Sequence, residues 1–378
     1  MKHEVACGSF QAPSSPLLAA ALACEERIGT RAHRALGLQT RVRPTASKPK
    51  YDPCMRKRFV AVREDLPGTG WLARFAAGRT EAEAWYLDGR ASPAGATECS
   101  AQIRRHMPEL LSLYERTCAL VAGDGLAPQI ISQYRPPPLR HGCTQAVWLG
   151  EQGPALVRNY DFRLEVVSEH FESTRWLGRE VISKGQRPWG GCLDGMNADG
   201  LVASVTFGGG AEQAEGFSII LMARYVLETC SRVSESIAAL CRIPVALSQN
   251  VTVLDKSGSH ATVQLSPGAD PVVSDGLVCA NHQARAISRS PALARSMQRQ
   301  QAALCALERP GATLEKVVAS FLEPPLYSRL VSSPTVYTAV YRPASLCVDY
   351  LWPGHAMTQR IGSFAPGEYD HDYGELAD

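Results

Sequence analysis

A cysteine, an arginine and an aspartate stand on either side of a tight turn near the middle of the chain. Cys143 follows Gly142 at the start of a strand-like run, and Arg158 and Asp161 lie in the run after the turn. A neighbouring cation lowers the pKa of a thiol and favours the thiolate, which is a strong nucleophile. These residue types therefore suit covalent attack on a carbonyl carbon.

The turn decides how close these residues come. The sequence Gly-Glu-Gln-Gly at 150–153 is typical of a β-hairpin turn, and strand-like runs flank it on both sides. A turn near its centre places Cys143 opposite Tyr160 or Asp161, and opposite residues in an antiparallel pair are about 5 Å apart. Arg158 and Asp161 are therefore predicted to lie beside the cysteine.

The aspartate needs a cation of its own, because a carboxylate beside a thiol opposes thiolate formation. One such cation is the α-amino group of Cys143, released if the bond from Gly142 to Cys143 is cleaved. A free α-amine has an ordinary pKa of about 7.7–8.0, which suits a general base at neutral pH. Nucleophile and base then belong to one residue, and no histidine is needed; His141 and His282 stand in no papain-type sequence context.

Hairpin patterns and helical patterns alternate in blocks along the rest of the chain. Strand patterns are predicted at 58–64, 201–207, 250–267 and 334–354, and helical periodicity is predicted at 100–121, 217–240, 293–307 and 314–322. This order is typical of an α+β fold with antiparallel sheets covered by helices rather than of βαβ units. Residues 1–50 are expected to form a poorly structured N-terminal extension, and 134–142, with three prolines, an exposed linker.

Composition excludes several classes of partner. The chain has 378 residues and a formal net charge of +2, with 45% apolar and 20% charged residues. This balance favours a globular core and gives no electrostatic reason to expect nucleic acid or an anionic membrane as a partner. No apolar run approaches the roughly 18 residues that span a bilayer.

The cysteines indicate a reducing compartment. Twelve are scattered along the chain, with no C-x-x-C pair and no zinc-type spacing. We interpret most of them as small buried apolar residues of a cytoplasmic protein. The sequence implies neither a metal nor an organic cofactor.

Several segments resemble one known family. Gly-Cys-Thr at 142–144 followed by Arg-Asn-Tyr-Asp-Phe at 158–162 resembles the autoproteolytic cysteine type of N-terminal-nucleophile (Ntn) hydrolases, in the penicillin acyltransferase and choloylglycine hydrolase group. Segments with the family's pattern follow in the same order, at 192–209, 250–267, 279–283, 295–301 and 334–354.

The resemblance implies a fold and a maturation step. The fold is an αββα sandwich of two antiparallel sheets covered by helices, made as an inactive precursor. Cys143 attacks the carbonyl of Gly142, and cleavage there gives chains 1–142 and 143–378. Residues 51–142 are then a leader, either a propeptide or a small subunit, and 143–378 is the catalytic region.

The resemblance also implies roles for single residues. Arg158 supports the Cys143 thiolate, and Asp161 holds the α-amine. Asn197 and Asn281 contact the oxyanion or the substrate carbonyl, and losing one oxyanion donor typically costs about 3–4 kcal/mol.

Arg299 completes the polar network around the nucleophile, again by resemblance. Asn197, Asn281 and Arg299 each also have an alternative role that is purely structural. Asn197 can shape the turn before Gly200, Asn281 can cap the following helix, and Arg299 can lie on a solvated helix face. Asp194 is expected to be structural.

Two aromatic residues near the nucleophile are candidates for an apolar acyl pocket, Trp148 and Tyr160. The expected reaction is hydrolysis of a linear amide or transfer of its acyl group, with an acyl-amide or acyl-CoA as the small-molecule substrate. The cleaved N-terminal chain is a partner, and a homo-oligomer is allowed. Whether water or an amine meets the acyl-enzyme stays open.

Three other readings stay open at the level of sequence. Cys143 can be a buried strand residue beside a surface ion pair. The sandwich can be a non-cleaving pseudoenzyme or a small-molecule binding protein. A papain-like cysteine peptidase is the third, although it needs a cysteine at a helix N-terminus, whereas Cys143 opens a strand pattern.

Overall fold

Two β-sheets face each other at the centre of the molecule. The computed structural model describes residues 54–88, 93–122, 125–138, 142–187, 190–283 and 290–377, so the extension predicted at 1–50 lies outside it. The strands are β1 (Cys54–Arg63), β2 (Gly142–Trp148), β3 (Ala155–Asp161), β4 (His170–Thr174), β5 (Val181–Gln186), β6 (Gly191–Asn197), β7 (Val202–Phe207), β8 (Gln249–Leu254), β9 (His260–Ser266), β10 (Ala269–Ser274), β11 (Val278–Cys279), β12 (Thr335–Arg342), β13 (Cys347–Trp352), β14 (His355–Arg360) and β15 (Gly367–Glu375).

The helices form the outer layers. They are α1 (Thr69–Leu87), α2 (Ala96–His106), α3 (Leu111–Leu120), α4 (Ala127–Ser132), α5 (Ile219–Thr229), α6 (Val233–Arg242), α7 (Pro291–Glu308) and α8 (Leu314–Phe321). In the described residues, α5 and α6 pack on the first sheet, and α7 and α8 on the second. No helix in those ranges is both long and apolar enough to cross a membrane.

The strand order is that of two separate sheets. The first has nine strands in the order β10-β9-β8-β7-β6-β5-β4-β1-β15, and the second has six in the order β11-β2-β3-β12-β13-β14. All neighbours pair antiparallel except β1 and β4, which are parallel. The predicted antiparallel sheets thus contain one parallel pair, which is possible because a long stretch of chain rather than a hairpin joins β1 to β4.

Side chains from the two inner faces interlock. Gln145 of β2 donates to Thr252 Oγ1 at 2.6 Å and accepts from Ser204 Oγ at 2.5 Å, and both partners lie on the first sheet. The ring of Phe171 packs against Tyr350 of the second sheet, with 4.0 Å between ring centroids. Helix, sheet, sheet and helix thus form four layers, and the predicted αββα sandwich is confirmed.

In two places where the sequence predicts one helix, the structure has two shorter helices. The periodicity at 100–121 is interrupted by Pro108, which begins a short 3-10 turn at Pro108–Leu110 between α2 and α3, because proline has no N–H to continue an α-helix. The stretch 217–240 is interrupted after α5. There the side-chain amide of Asn197 binds the carbonyls of Leu227 and Cys230 at 2.9 and 2.8 Å, which satisfies the helix end.

Described residues that come before Gly142 in the chain belong to the same sandwich. Strand β1 lies inside the first sheet, between β4 and β15. The exposure predicted for the linker at 134–142 is wrong where the structure describes it, because Tyr134, Pro136 and Pro137 are buried; residues 139–141 lie outside the described residues. The N–H of Arg135 donates to Gly216 O at 2.7 Å, which fixes this segment to the part of the chain that follows Gly142.

Candidate functional site

Strands β2 and β3 pair in the register that the hairpin predicts. Cys143 lies opposite Tyr160, Gly142 opposite Asp161, and Arg158 opposite Gln145. Side chains alternate along a strand, so Cys143 and Arg158 both face the space between the sheets. The residues directly before and after each of them face the helices.

The guanidinium of Arg158 contacts the cysteine sulfur. Arg158 Nη2 donates to Cys143 Sγ at 3.3 Å, and both side chains are fully buried. Burial raises the pKa of the Cys143 thiol above its ordinary value, and the Arg158 charge counteracts part of that rise. The predicted proximity of these two residues is confirmed as geometry, and the intact chain keeps the thiol away from solvent.

A buried carboxylate lies on the far side of Arg158. Arg158 Nη1 donates to the carbonyl of Leu193 at 2.7 Å and to Asp194. The hydroxyls of Tyr337, at 2.5 Å, and Tyr341 also donate to Asp194. Burial alone would lower the pKa of Arg158, but Asp194, Cys143 and Tyr337 together outweigh burial and raise the pKa of Arg158 above its ordinary value.

Sequence reasoning missed this connection. It gave Asp194 only a structural role, in shaping turns and strand ends, whereas the residue lies within strand β6 and is completely buried beside Arg158. An aspartate in a run of apolar strand residues needs a cationic or hydrogen-bonding partner, and that need was the available signal.

The backbone of Cys143 is held by two residues that the resemblance named. Cys143 N–H donates to Asn281 Oδ1 at 2.7 Å, and Arg299 Nη2 donates to the same oxygen at 2.5 Å. Arg299 also donates to Thr144 Oγ1 at 2.8 Å and to Cys143 O at 3.4 Å. The structure therefore places Asn281 and Arg299 at Cys143 rather than at a helix cap or on a solvated face.

Asp161 lies across the ladder from the predicted cleavage bond. Its Oδ1 accepts from Thr335 Oγ1 at 2.7 Å, whereas Oδ2 makes no hydrogen bond within the described residues and has Arg299 Nε at 3.9 Å. Burial raises the pKa of Asp161, and Arg299 counteracts part of this rise. A Cβ at Gly142 would lie 2.9 Å from the Asp161 Cβ, so only glycine fits here.

Asn197 is not brought to this cluster. It comes three residues after Asp194 on the same strand, so it faces the opposite side of the sheet. Its amide donates towards α5, and its Oδ1 accepts from the N–H groups of Asp199 and Leu201 at 3.1 and 3.0 Å. The oxyanion role predicted for Asn197 is corrected to the alternative one, the shaping of a turn.

The two residues predicted to line an acyl pocket, Trp148 and Tyr160, lie on opposite faces of their sheet. Tyr160 is fully buried opposite Cys143, and the Arg158 guanidinium carbon lies 5.4 Å from the Tyr160 ring centroid. Trp148 lies five residues after Cys143 on β2 and so faces the other way, into the apolar cluster beneath α7 and α8. The acyl-pocket role of Trp148 is therefore corrected to packing between sheet and helices.

Replacing Trp148 by alanine should lower the free energy of unfolding without changing acyl preference. We expect a loss of about 2–4 kcal/mol in urea unfolding, because a large packed ring is removed. The neighbouring Leu149→Ala is the matched control, since Leu149 is 47% exposed and should change stability by less than about 0.5 kcal/mol. A changed ratio of rates between short and long acyl substrates in Trp148→Ala would restore the pocket role.

The cluster has the composition of a nucleophilic site. It combines a thiol, two guanidinium groups, an amide and a carboxylate around one backbone position. Within the described ranges, no group of three or more histidine, cysteine, aspartate or glutamate side chains is arranged to hold a metal ion. The arrangement can activate a thiol and stabilise charge on a carbonyl oxygen.

Comparison with known proteins identifies one family profile. The profile described as acyl-coenzyme A:6-aminopenicillanic acid acyl-transferase matches residues 148–356, which is more than half of the chain. No curated protein is similar enough in sequence to count as a match.

Solved structures give more distant likenesses. Penicillin V acylase from Agrobacterium tumefaciens is 17% identical with a TM-score of 0.44, over 61% of this chain and 93% of that one. A mutant conjugated bile acid hydrolase from Clostridium perfringens is 11% identical with a TM-score of 0.45, over 62% and 99%. The Caenorhabditis elegans ortholog of N-acylethanolamine-hydrolyzing acid amidase is 14% identical with a TM-score of 0.41, over 53% and 93%.

Proposed function

The chain belongs to the acyl-coenzyme A:6-aminopenicillanic acid acyl-transferase family, and on that premise we propose that it is a self-cleaving enzyme with Cys143 as its nucleophile. It acts on linear amide or acyl-thioester bonds through an acyl-Cys143 intermediate. The observation that carries the proposal is the convergence on Cys143 of Arg158 at its sulfur and Asn281 at its backbone nitrogen.

The first step is cleavage of the chain itself. Cys143 Sγ attacks the carbonyl carbon of Gly142, the C–N bond breaks, and the nitrogen of Cys143 takes up a proton to become an α-amine. Water then hydrolyses the resulting thioester, which leaves a carboxylate on Gly142 and restores the thiol. The lack of a side chain on Gly142 supports this step, since a Cβ would collide with Asp161.

Two residues beside Cys143 support a role for its new α-amine. In the intact chain the nitrogen of Cys143 already donates to Asn281 Oδ1. An α-ammonium group has two further N–H donors, and Asp161 Oδ2, which makes no hydrogen bond in the described part of the chain, lies across the ladder from Gly142. We assign Asp161 to holding the amine where it can take the proton of the thiol.

The second step is acyl transfer from a substrate. The α-amine accepts the thiol proton, and Arg158 stabilises the negative charge that this leaves on the sulfur. The sulfur then attacks the substrate carbonyl. Among the described residues, Asn281 Nδ2 makes one hydrogen bond, a long one of 3.4 Å to Phe207 O, so it is available to donate to the oxyanion. The leaving amine or thiol takes the proton, and water or an acceptor amine then removes the acyl group.

The leader remains bound after cleavage in this proposal. Strand β1 is hydrogen-bonded on both sides, to β4 and to β15, and both neighbours belong to 143–378. Loss of the leader would expose two strand edges, which is unfavourable. Residues 51–142 are therefore a subunit rather than a discarded propeptide.

A reducing compartment such as the cytoplasm belongs to the same proposal. Nine cysteines within the described residues are free thiols, and Cys143 is one of them. A thiolate nucleophile requires this reduced state, because oxidation to a disulfide or sulfenic acid removes it.

The test is to trap the acyl-enzyme. The protein is mixed briefly with a short-chain acyl-CoA or the matching acyl anilide, quenched in acid and weighed by mass spectrometry. We expect one acyl group on the chain that begins with Cys143, its absence in Cys143→Ala, and its presence in the control Cys279→Ala, which removes a buried cysteine from the adjacent strand. An acyl group on another cysteine, or none with either substrate in cleaved protein, would refute the proposal.

A further inference from the structure

Asp194 is a buried carboxylate that takes no part in the reaction steps above. We propose that it is a positioning residue, which holds the Arg158 guanidinium against the sulfur of Cys143. This inference rests on the proposed function and adds a residue to it. It would explain how a strand residue on one sheet controls a nucleophile on the other.

The geometry of the guanidinium carries the inference. One terminal nitrogen, Nη1, donates to Asp194 and to Leu193 O, and the other, Nη2, donates to Cys143 Sγ. The group is planar and rigid, so fixing Nη1 also fixes Nη2. Arg158 Nε has no acceptor among the described residues, which leaves Asp194 as the only anion that anchors this side chain there.

Asp194 is itself fixed by the second sheet. Tyr337 donates to its Oδ2 and Tyr341 to its Oδ1, so each carboxylate oxygen has a hydroxyl partner. All three side chains are fully buried. The carboxylate cannot rotate away from Arg158 without leaving a buried hydroxyl unpaired, which is costly.

A carboxylate here has two possible effects on the thiol, and they have opposite signs. As an anchor, Asp194 keeps the cation at the sulfur and lowers the thiol pKa. As a counter-charge, it neutralises Arg158 and raises that pKa. The other groups that act on Cys143 stay the same in either case: Asp161, Arg299, Tyr160 and Cys279.

The experiment measures the pKa of Cys143 in the folded protein. The pH-dependent ultraviolet absorbance of the thiolate is recorded for each variant and for the same variant with Cys143→Ala, and the difference reports this thiol alone. In Asp194→Asn we expect the thiol pKa to rise by about one unit or more. The kcat of acyl transfer should fall about 10–100-fold with little change in KM.

Two tyrosine variants extend the test. Tyr337→Phe removes one hydroxyl from Asp194 and should shift the thiol pKa in the same direction by less. Tyr350→Phe is the matched control, because this hydroxyl lies in the same cluster and contacts Tyr341 at 3.3 Å but not Asp194. It should leave both quantities unchanged.

A lowered or unchanged thiol pKa in Asp194→Asn would overturn the inference, since the carboxylate would then act as a counter-charge or not at all. If Asp194→Asn does not fold, Tyr337→Phe with Tyr341→Phe gives the same test with the charge kept. Failure of the proposed function shows separately, as a wild-type chain that neither cleaves nor forms an acyl-enzyme. The absorbance titration does not require activity.

Discussion

Replacing Arg158 by methionine should stop self-cleavage and lower the free energy of unfolding by about 3–5 kcal/mol. The substitution leaves Asp194 completely buried without its cation, and it removes the only guanidinium on the Cys143 sulfur among the described residues. Urea unfolding followed by circular dichroism measures the loss of stability. The mass of the purified chain measures the loss of self-cleavage.

A double variant separates these two effects. Replacing the ion pair by Arg158→Met with Asp194→Leu removes the unpaired charge, so most of the lost stability should return. Cleavage should not return, because the cation at the sulfur is still missing. A double variant that is stable and also cleaves at the normal rate would show that Arg158 acts only in folding.

Replacing Asn281 by alanine should lower the rate of acyl transfer about 10²–10³-fold. The variant loses the acceptor for the Cys143 nitrogen, at 2.7 Å, and the proposed donor to the oxyanion. The kcat of cleaved protein with an acyl-amide substrate is the measurement.

Asn197→Ala is the control for that measurement. The sequence suggests the same role for both asparagines, but the structure places Asn197 against the carbonyls of Leu227 and Cys230. This variant should lose stability and keep the kcat of the fraction that folds. Equal losses of kcat in the two variants would contradict the assignment of Asn281 to the reaction.

The sequence predicted the hairpin of β2 and β3 because its signals are local. The glycines at 150 and 153 define the turn, and the two-residue period of the strands then sets the register of Cys143 and Tyr160. The same period shows that Asp194 and Asn197 cannot share a face, and that Trp148 cannot share one with Cys143. The roles of Asn197 and Trp148 could therefore have been corrected from the sequence alone, once the strands were assigned.

Other features depend on contacts that no local pattern records. Strand β1 pairs with β4 and β15, which come more than a hundred and more than three hundred residues later. The pairing of Asp194 with Arg158, Tyr337 and Tyr341 exists only because two sheets stack face to face. Such contacts join residues far apart in the chain, and hydrophobic periodicity alone does not specify them.

The most direct test of the central claim is the intact mass of the purified protein under denaturing conditions, measured beside Cys143→Ala. We predict two chains from the wild type, one ending at Gly142 and one beginning at Cys143, and a single full-length chain from the variant. A wild-type protein that stays in one piece, or a variant cleaved at the same bond, would contradict the assignment of Cys143 as a self-released N-terminal nucleophile.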